Sequence, residues 1–310
     1  GLRCPCASAR GRFSGRWKRH QVPMRRSSVS QPIRVARQGE LGSFSEEAAI
    51  SLLGADLQVL SFRHFDEVFR ATSSGEAEVC LVPLENALTG SIHRNYDLLR
   101  RHNLKINGEL YLEIQHNLIV LPGVRFEELT SVFSHPVALG QCERFFEKNP
   151  QLEMRTSHDT SGSVRELVQQ QERTCGAIAG QRAAELFGGE VIMEAIQDNK
   201  ANYTRFVLLS PEMKVPEGAN KTSIVFSFKN VPGALFKSLS VFALRDIDLG
   251  KIESRPIHGR PWEYLFYVDF LACIKEERVS NALNHLREIT EDLEILGSYR
   301  RDEAVENQGM

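Results

Sequence analysis

The residues best suited to chemistry gather in five polar turns between Gly39 and Phe206. The last turn runs from Asp198 through Asn202 into an apolar strand, with Thr204, Arg205 and Phe206 at its mouth. Arginine is rarely buried without an anionic partner, so Arg205 is either an anion clamp or an edge-strand cation in solvent. Alternation along a strand puts Thr204 and Phe206 on one face and Arg205 on the other. Glu85 and Asn86 follow the apolar run Glu78–Val82 and precede Gly90 and Ser91. A carboxylate at a strand end can act as a general acid or as a polar anchor. A third turn holds Ser134, His135 and Pro136, with Gln141 close behind. Pro136 suits a first helical position, and His135 reads as a capping side chain. The fourth turn, Ser157–Ser163, is dense in hydroxyls, among them Thr160 and Ser161. Hydroxyls and free N–H groups at a helix start bind carboxylates as well as phosphates. The first turn, Gly39–Glu46, has a Gly-x-x-Gly spacing that is not a dinucleotide fingerprint. Ser43 with Glu46, and Ser163 with Glu166, fit capping boxes.

The elements that carry these turns repeat. A short apolar run, a polar turn and an amphipathic helix recur from Ile33 to about Phe187, with helices expected at Ser45–Leu53, Val137–Glu147, Val164–Gln171 and Gln181–Phe187. Alternating strand and helix implies a parallel sheet with helices on its faces, and ligands beyond the carboxyl ends of the strands. Leu110–Leu121 is expected as one long strand and Asn202–Ser210 as a final strand, so the chain can form two α/β lobes with crossing strands as a hinge. A Pro-, Gly- and charge-rich linker lies near 213–221. Beyond it the order strand, helix, strand, strand, helix, strand over about Thr222–Arg300 reads as a ferredoxin-like βαββαβ domain.

Composition narrows the partners. Residues 1–32 hold seven Arg, one Lys and no acid, so a chain of net charge -2 keeps -10 on residues 33–310. An acidic body argues against nucleic acid. The basic head reads as a disordered tail, with an organelle transit peptide as the alternative. No apolar run is long enough to span a bilayer. The six cysteines form no Cys-x-x-Cys pair and the nine histidines no ligand pair, so no metal is expected. From the residues alone the reading stops at a two-lobed α/β protein that binds a small carboxylate ligand, with enzyme and binding protein both open.

The order of motifs resembles the prephenate dehydratase family over about Ile33–Tyr299. The match is carried by Gly39-x-x-Gly42-x-Phe44-Ser45-Glu46, Val82-Pro83-Leu84-Glu85-Asn86, Ser134-His135-Pro136 with Gln141, Asp159-Thr160-Ser161 and Asn202-x-Thr204-Arg205-Phe206. Beyond the linker, Asn230-Val-Pro-Gly233-Ala234-Leu235 and Glu253-Ser254-Arg255-Pro256 resemble an ACT domain, a fold that binds amino acids. The resemblance implies a catalytic domain (33–212) like a type II periplasmic binding protein, followed by an ACT domain (222–300). It implies conversion of prephenate to phenylpyruvate without cofactor or metal, feedback by phenylalanine, and a homodimer or homotetramer. It makes Thr204 the principal catalytic hydroxyl, Arg205 a partner of a substrate carboxylate and Glu85 a candidate acid. Asn86, Ser134, Gln141, Thr160, Ser161 and Phe206 would line the cleft. Asn230, Gly233, Ala234, Leu235, Glu253, Ser254 and Arg255 would hold phenylalanine, the last three across a subunit interface. The expected location is the cytoplasm, or the plastid stroma if the head is a transit peptide. Arogenate as substrate, or a non-catalytic amino-acid sensor on the same lobes, are the alternatives.

Overall fold

The structure, a computed structural model, describes residues 32–257, 259–260 and 262–302. The basic head, apart from Pro32, and the tail beyond Asp302 lie outside the described residues. In chain order the first part comprises β1 (Ile33–Gln38), α1 (Phe44–Leu53), β2 (Leu57–Phe62), α2 (Phe65–Ser73), β3 (Val79–Asn86), β4 (Gly90–Ser91), α3 (His93–Arg101) and β5 (Lys105–Glu113). The second comprises β6 (Asn117–Val120), β7 (Ser131–Ser134), α4 (Pro136–Gly140), α5 (Glu143–Lys148), β8 (Glu153–Thr156), α6 (Thr160–Gln170), β9 (Cys175–Ala179), α7 (Gln181–Phe187) and β10 (Glu190–Met193). The chain then returns to the first sheet as β11 (Tyr203–Ser210).

Two lobes result. One sheet has the order β2-β1-β3-β11-β5, the other β10-β6-β9-β7-β8. Strands linked by crossover helices are parallel, as the repeat predicts. Those next to the crossings, β11 in the first lobe and β6 and β10 in the second, run antiparallel to their neighbours. The expected long strand Leu110–Leu121 is two strands, because residues 114–116 carry the chain from one sheet to the other. The two crossings bond to each other: Ile114 N–H donates to Asn202 O at 2.7 Å and Ile196 N–H to His116 O at 2.8 Å. Each lobe has its own apolar core, one around Leu118, Val132, Phe146 and Ile178, the other around Val35, Leu81, Phe206 and Leu208.

The last part is β12 (Lys221–Ser227), α8 (Ala234–Ala243), β13 (Leu249–Pro256), β14 (Tyr264–Phe270), α9 (Glu277–Ile289) and β15 (Asp292–Tyr299), with the sheet order β13-β14-β12-β15. This is the ferredoxin-like arrangement expected. One sheet face packs Ile224, Phe226, Phe266 and Val268 beneath α8 and α9. The other lays Val225, Leu265, Tyr267, Leu296 and Tyr299 against Val82, Tyr96, Leu99 and Val207 of the first lobe. Gly297 makes that approach possible, since a Cβ there would collide with the Ile106 carbonyl.

Candidate active site

Thr204 is the second residue of β11 and lies opposite Asn86 at the end of β3. It is 8% exposed. The Asn86 Oδ1 accepts from the backbone N–H groups of Leu88 and Thr89, both at 3.0 Å. Those protons are unambiguous, so they fix which end of the amide is oxygen. The Asn86 Nδ2 must then donate, and it does so to Thr204 Oγ1 at 3.0 Å and to Asn202 Oδ1 at 2.8 Å. The sense of the chain propagates: Asn202 Nδ2 donates to Gln141 Oε1 at 3.0 Å. His116 Nε2 donates to the same oxygen at 2.8 Å. Burial pushes the His116 pKa down, outweighing the Gln141 bond that raises it, so the ring is neutral with its proton on Nε2. Two consequences follow. Thr204 receives a hydrogen bond and keeps its own proton free, and Gln141 keeps its Nε2 hydrogens without a partner among the described residues.

Gln141 reaches this position because the expected helix Val137–Glu147 is broken. It stands at the C-terminal end of α4, in the gap before α5. It therefore brings a side chain of the second lobe to the crossing strands. His116 is a residue that sequence reasoning missed; its signal was the polar interruption Gln115-His116-Asn117 inside an apolar run.

The first and fourth turns meet across the lobes. Ser161 Oγ donates to the Leu41 carbonyl, and Arg182 of the second lobe binds Glu46 of the first with contacts of 2.6 and 3.0 Å. Gly42 has φ +77°, and a Cβ on it would lie 2.8 Å from Ser161 Oγ and 3.0 Å from the Ala183 Cα. Arg37, buried beneath the turn, donates to Gly39 O, Glu40 O and Glu46 Oε2 at 2.8–2.9 Å. Burial pushes the Glu46 carboxyl up, but the Arg182 bond, the Gly42 N–H and Arg37 outweigh it and hold the carboxyl below its usual range. Glu46 is thus spent on two arginines rather than on a capping box, and Ser43 caps α1 without a side-chain bond. In the fourth turn the cap is Asp159, which accepts from Gly162 N–H at 2.8 Å, and Ser163 lies inside α6. Thr160 begins α6, half-buried. His135 caps α4, accepting from Val137 N–H at 3.3 Å. With Pro136, Thr156, Ser157 and His158 it lines a cavity of about 350 Å³ in the second lobe.

Several expected site residues stand elsewhere. Arg205 does not face Thr204. Its guanidinium is 2% exposed and donates to Glu109 Oε2 (2.8 Å), Asp269 Oδ2 (2.6 Å) and Tyr299 Oη (2.8 Å), so it is buried against protein carboxylates and away from the cleft. Glu85, one residue out of phase with Asn86, points the same way and meets Lys251 Nζ at 2.8 Å. It is not placed to protonate a group beside Thr204. Ser134 is fully buried and gives its proton to Ile178 O at 2.6 Å. Phe206 packs in the lobe core with Leu81 and Leu208. In the last domain Asn230, Gly233, Ala234 and Leu235 do line one cavity, of about 240 Å³, with Trp262, Tyr264 and Phe266. Glu253 and Arg255 turn instead onto the first lobe, toward Ser91 (2.9 Å) and Asp97. Ser254 projects from the opposite face and is exposed.

Two α/β lobes, a hinge of two crossing strands and a cluster of fixed amides and one hydroxyl at the crossing are an arrangement suited to holding a small polar molecule. Comparison with known proteins gives the class. The Prephenate dehydratase family matches residues 35–214. An Arabidopsis thaliana protein, "Arogenate dehydratase/prephenate dehydratase 6, chloroplastic", is 44% identical, over 87% of this chain and 69% of that protein. A prephenate dehydratase from Arthrobacter aurescens, solved in complex with L-Phe, aligns with a TM-score of 0.80 at 30% identity, covering 87% of this chain and 90% of that one. A structure described as GqqA, a novel type of quorum quenching acylase, aligns with a TM-score of 0.79 at 28% identity, over 87% and 98%. The chain belongs to the prephenate dehydratase family and is an enzyme of that family, a carbon–oxygen lyase.

Proposed function

We propose that the chain decarboxylates and dehydrates prephenate to phenylpyruvate, with Thr204 as hydrogen-bond donor to the departing oxygen. One observation carries the assignment of Thr204: Asn86 donates to its Oγ1, so the one hydroxyl proton is free for substrate. The driving force resides in the substrate, whose ring becomes aromatic. The bond from ring to carboxylate breaks and its electrons enter the ring. The C–O bond opposite breaks, and the departing hydroxide takes up one proton from solvent to leave as water beside CO2. The enzyme must bind a dianion, orient it and stabilise the oxygen as negative charge develops there. Thr is too weak an acid to give up its proton outright at neutral pH, so it stabilises by hydrogen bonding. Gln141 Nε2, the Thr160 hydroxyl and the N-terminal amides of α6 are the donors we assign to the carboxylates.

Arogenate, the amino analogue, is the second reading, because the similar plant proteins are named for it. We further take 33–212 as catalytic and 222–300 as an ACT domain that binds phenylalanine in the cavity at Gly233, which the L-Phe complex of the Arthrobacter relative supports. Exposed Phe236 and Trp262 at the rim, both 77% exposed, support pairing of two such domains in a homodimer or homotetramer. Among the described residues no helix is long and apolar enough to cross a membrane. We place the enzyme in the cytoplasm, with the plastid stroma as the alternative, since several of the similar plant proteins are named chloroplastic. Incubation with prephenate and with arogenate, assaying phenylpyruvate and phenylalanine separately, tests the substrate. Turnover of neither would overturn the reading.

A further inference from the structure

We infer that the C-terminal domain is part of the catalytic framework, with Lys251 and Asp269 as positioning residues for the Asn86–Thr204 pair. This rests on the role proposed for Thr204. In the strand register Thr204 pairs with Asn86, and Arg205 pairs with Glu85. Each strand therefore contributes one side chain to the cleft and its neighbour to the opposite face. Both opposite-facing side chains end on the C-terminal sheet. Glu85 meets Lys251 Nζ of β13 at 2.8 Å, and Arg205 meets Asp269 of β14 at 2.6 Å.

The Arg205 contact is deeply buried, and the Glu85–Lys251 contact is half-buried at the edge of the same junction. Arg205, Glu109, Lys221 and Asp269 form a buried group of two cations and two anions, drawn from β5, β11, β12 and β14. Tyr299 and Ser223 bond to it, with Ser223 Oγ donating to Asp269 Oδ1 at 2.5 Å. Charges this deep are tolerated only in fixed geometry, so the cluster holds the strands as well as pairing them. Lys251 also donates to Ser91 Oγ at 2.8 Å, which ties in β4, itself paired with β3 at Glu85 and Asn86. A register shift between Arg205 and Phe206 shows the ladder departing from regularity at this point. Bulges of this kind re-aim side chains beside active sites. The C-terminal sheet thus grips the two strands one residue from each member of the pair, and the pair's 3.0 Å bond decides whether the Thr204 proton is free.

The test uses the full chain with Lys251→Met, Glu85→Gln, the double variant and Lys251→Arg. We expect each of the first two to lower kcat about tenfold with KM nearly unchanged, since small misplacements of a reacting group act on turnover. The double variant should be no worse than either single variant, the signature of one shared contact. Lys251→Arg should restore most of the loss. A folded Lys251→Met enzyme with wild-type kcat would overturn the inference, as would multiplying losses in the double variant or a fall in melting temperature alone. If Thr204→Ala itself left kcat unchanged, the proposed role of Thr204 would fail first. If only Thr204→Ala lost activity, that role would stand and the positioning role would fail.

Discussion

Thr204 and Arg205 are neighbours in sequence with opposite duties. Strand alternation already separates them in the sequence, but it could not say which way each points. A buried Arg signals an anion, and the structure supplies two protein carboxylates, Glu109 of the first lobe and Asp269 in a strand of the C-terminal domain. No periodicity encodes that pairing. Arg205→Lys loses the planar fork that reaches Glu109, Asp269 and Tyr299 together. Its expected effect is a loss of about 3–5 kcal/mol in urea unfolding, as for breaking a buried ionic group, with KM for substrate near wild type in whatever folds. A large rise in KM at unchanged stability would return Arg205 to the cleft. Ser134 and Phe206 were legible as motif residues and are buried here, because motif position does not distinguish a lining residue from one buried behind it.

Among the elements, the alternation of strand and helix and the βαββαβ order were legible, and Gln181–Phe187 runs as the pattern predicts. Two breaks were not. The Leu110–Leu121 run hides the crossing at 114–116, since both halves are apolar strands. The 137–147 run hides the break at Gln141 and Cys142, because helical periodicity continues through it. Both breaks place site residues, His116 in one and Gln141 in the other. At the level of packing elements, Gly297 lets β15 lie against β5. Gly297→Ala should force these strands apart. We expect a fall of several degrees in melting temperature and earlier proteolysis at the junction of the two domains, read by limited digestion. An unchanged melting temperature would mean that the two sheets do not pack this closely.

For the whole molecule, the buried cluster makes the union of the domains depend on pH. Burial pushes the Asp269 carboxyl up, but Arg205, Lys221 and Ser223 outweigh it and hold its pKa below the usual carboxylate range. A carboxyl depressed in the folded state contributes stability that is present above its unfolded pKa and lost as pH falls through the folded value. Asp269→Asn should therefore be less stable at neutral pH and should lose stability less steeply below about pH 4. Parallel slopes for variant and wild type in acid unfolding would remove Asp269 from the account. The same strand offers a route for regulation: Phe266 of β14 lines the cavity at Gly233, and Asp269 lies three residues further along on the face toward Arg205. A ligand that distinguishes two positions of this strand would shift the Thr204 setting, which is all that an effector can do.

The central claim is that a free hydroxyl proton on Thr204 assists departure of the leaving oxygen. Steady-state kinetics of Thr204→Ala and Thr204→Ser, on whichever of prephenate and arogenate the enzyme turns over, tests it most directly. The account predicts a fall in kcat of about 10²–10³ for alanine, as for loss of one transition-state donor, with little change in KM and partial recovery with serine. Near-wild-type turnover by a folded Thr204→Ala enzyme would contradict it.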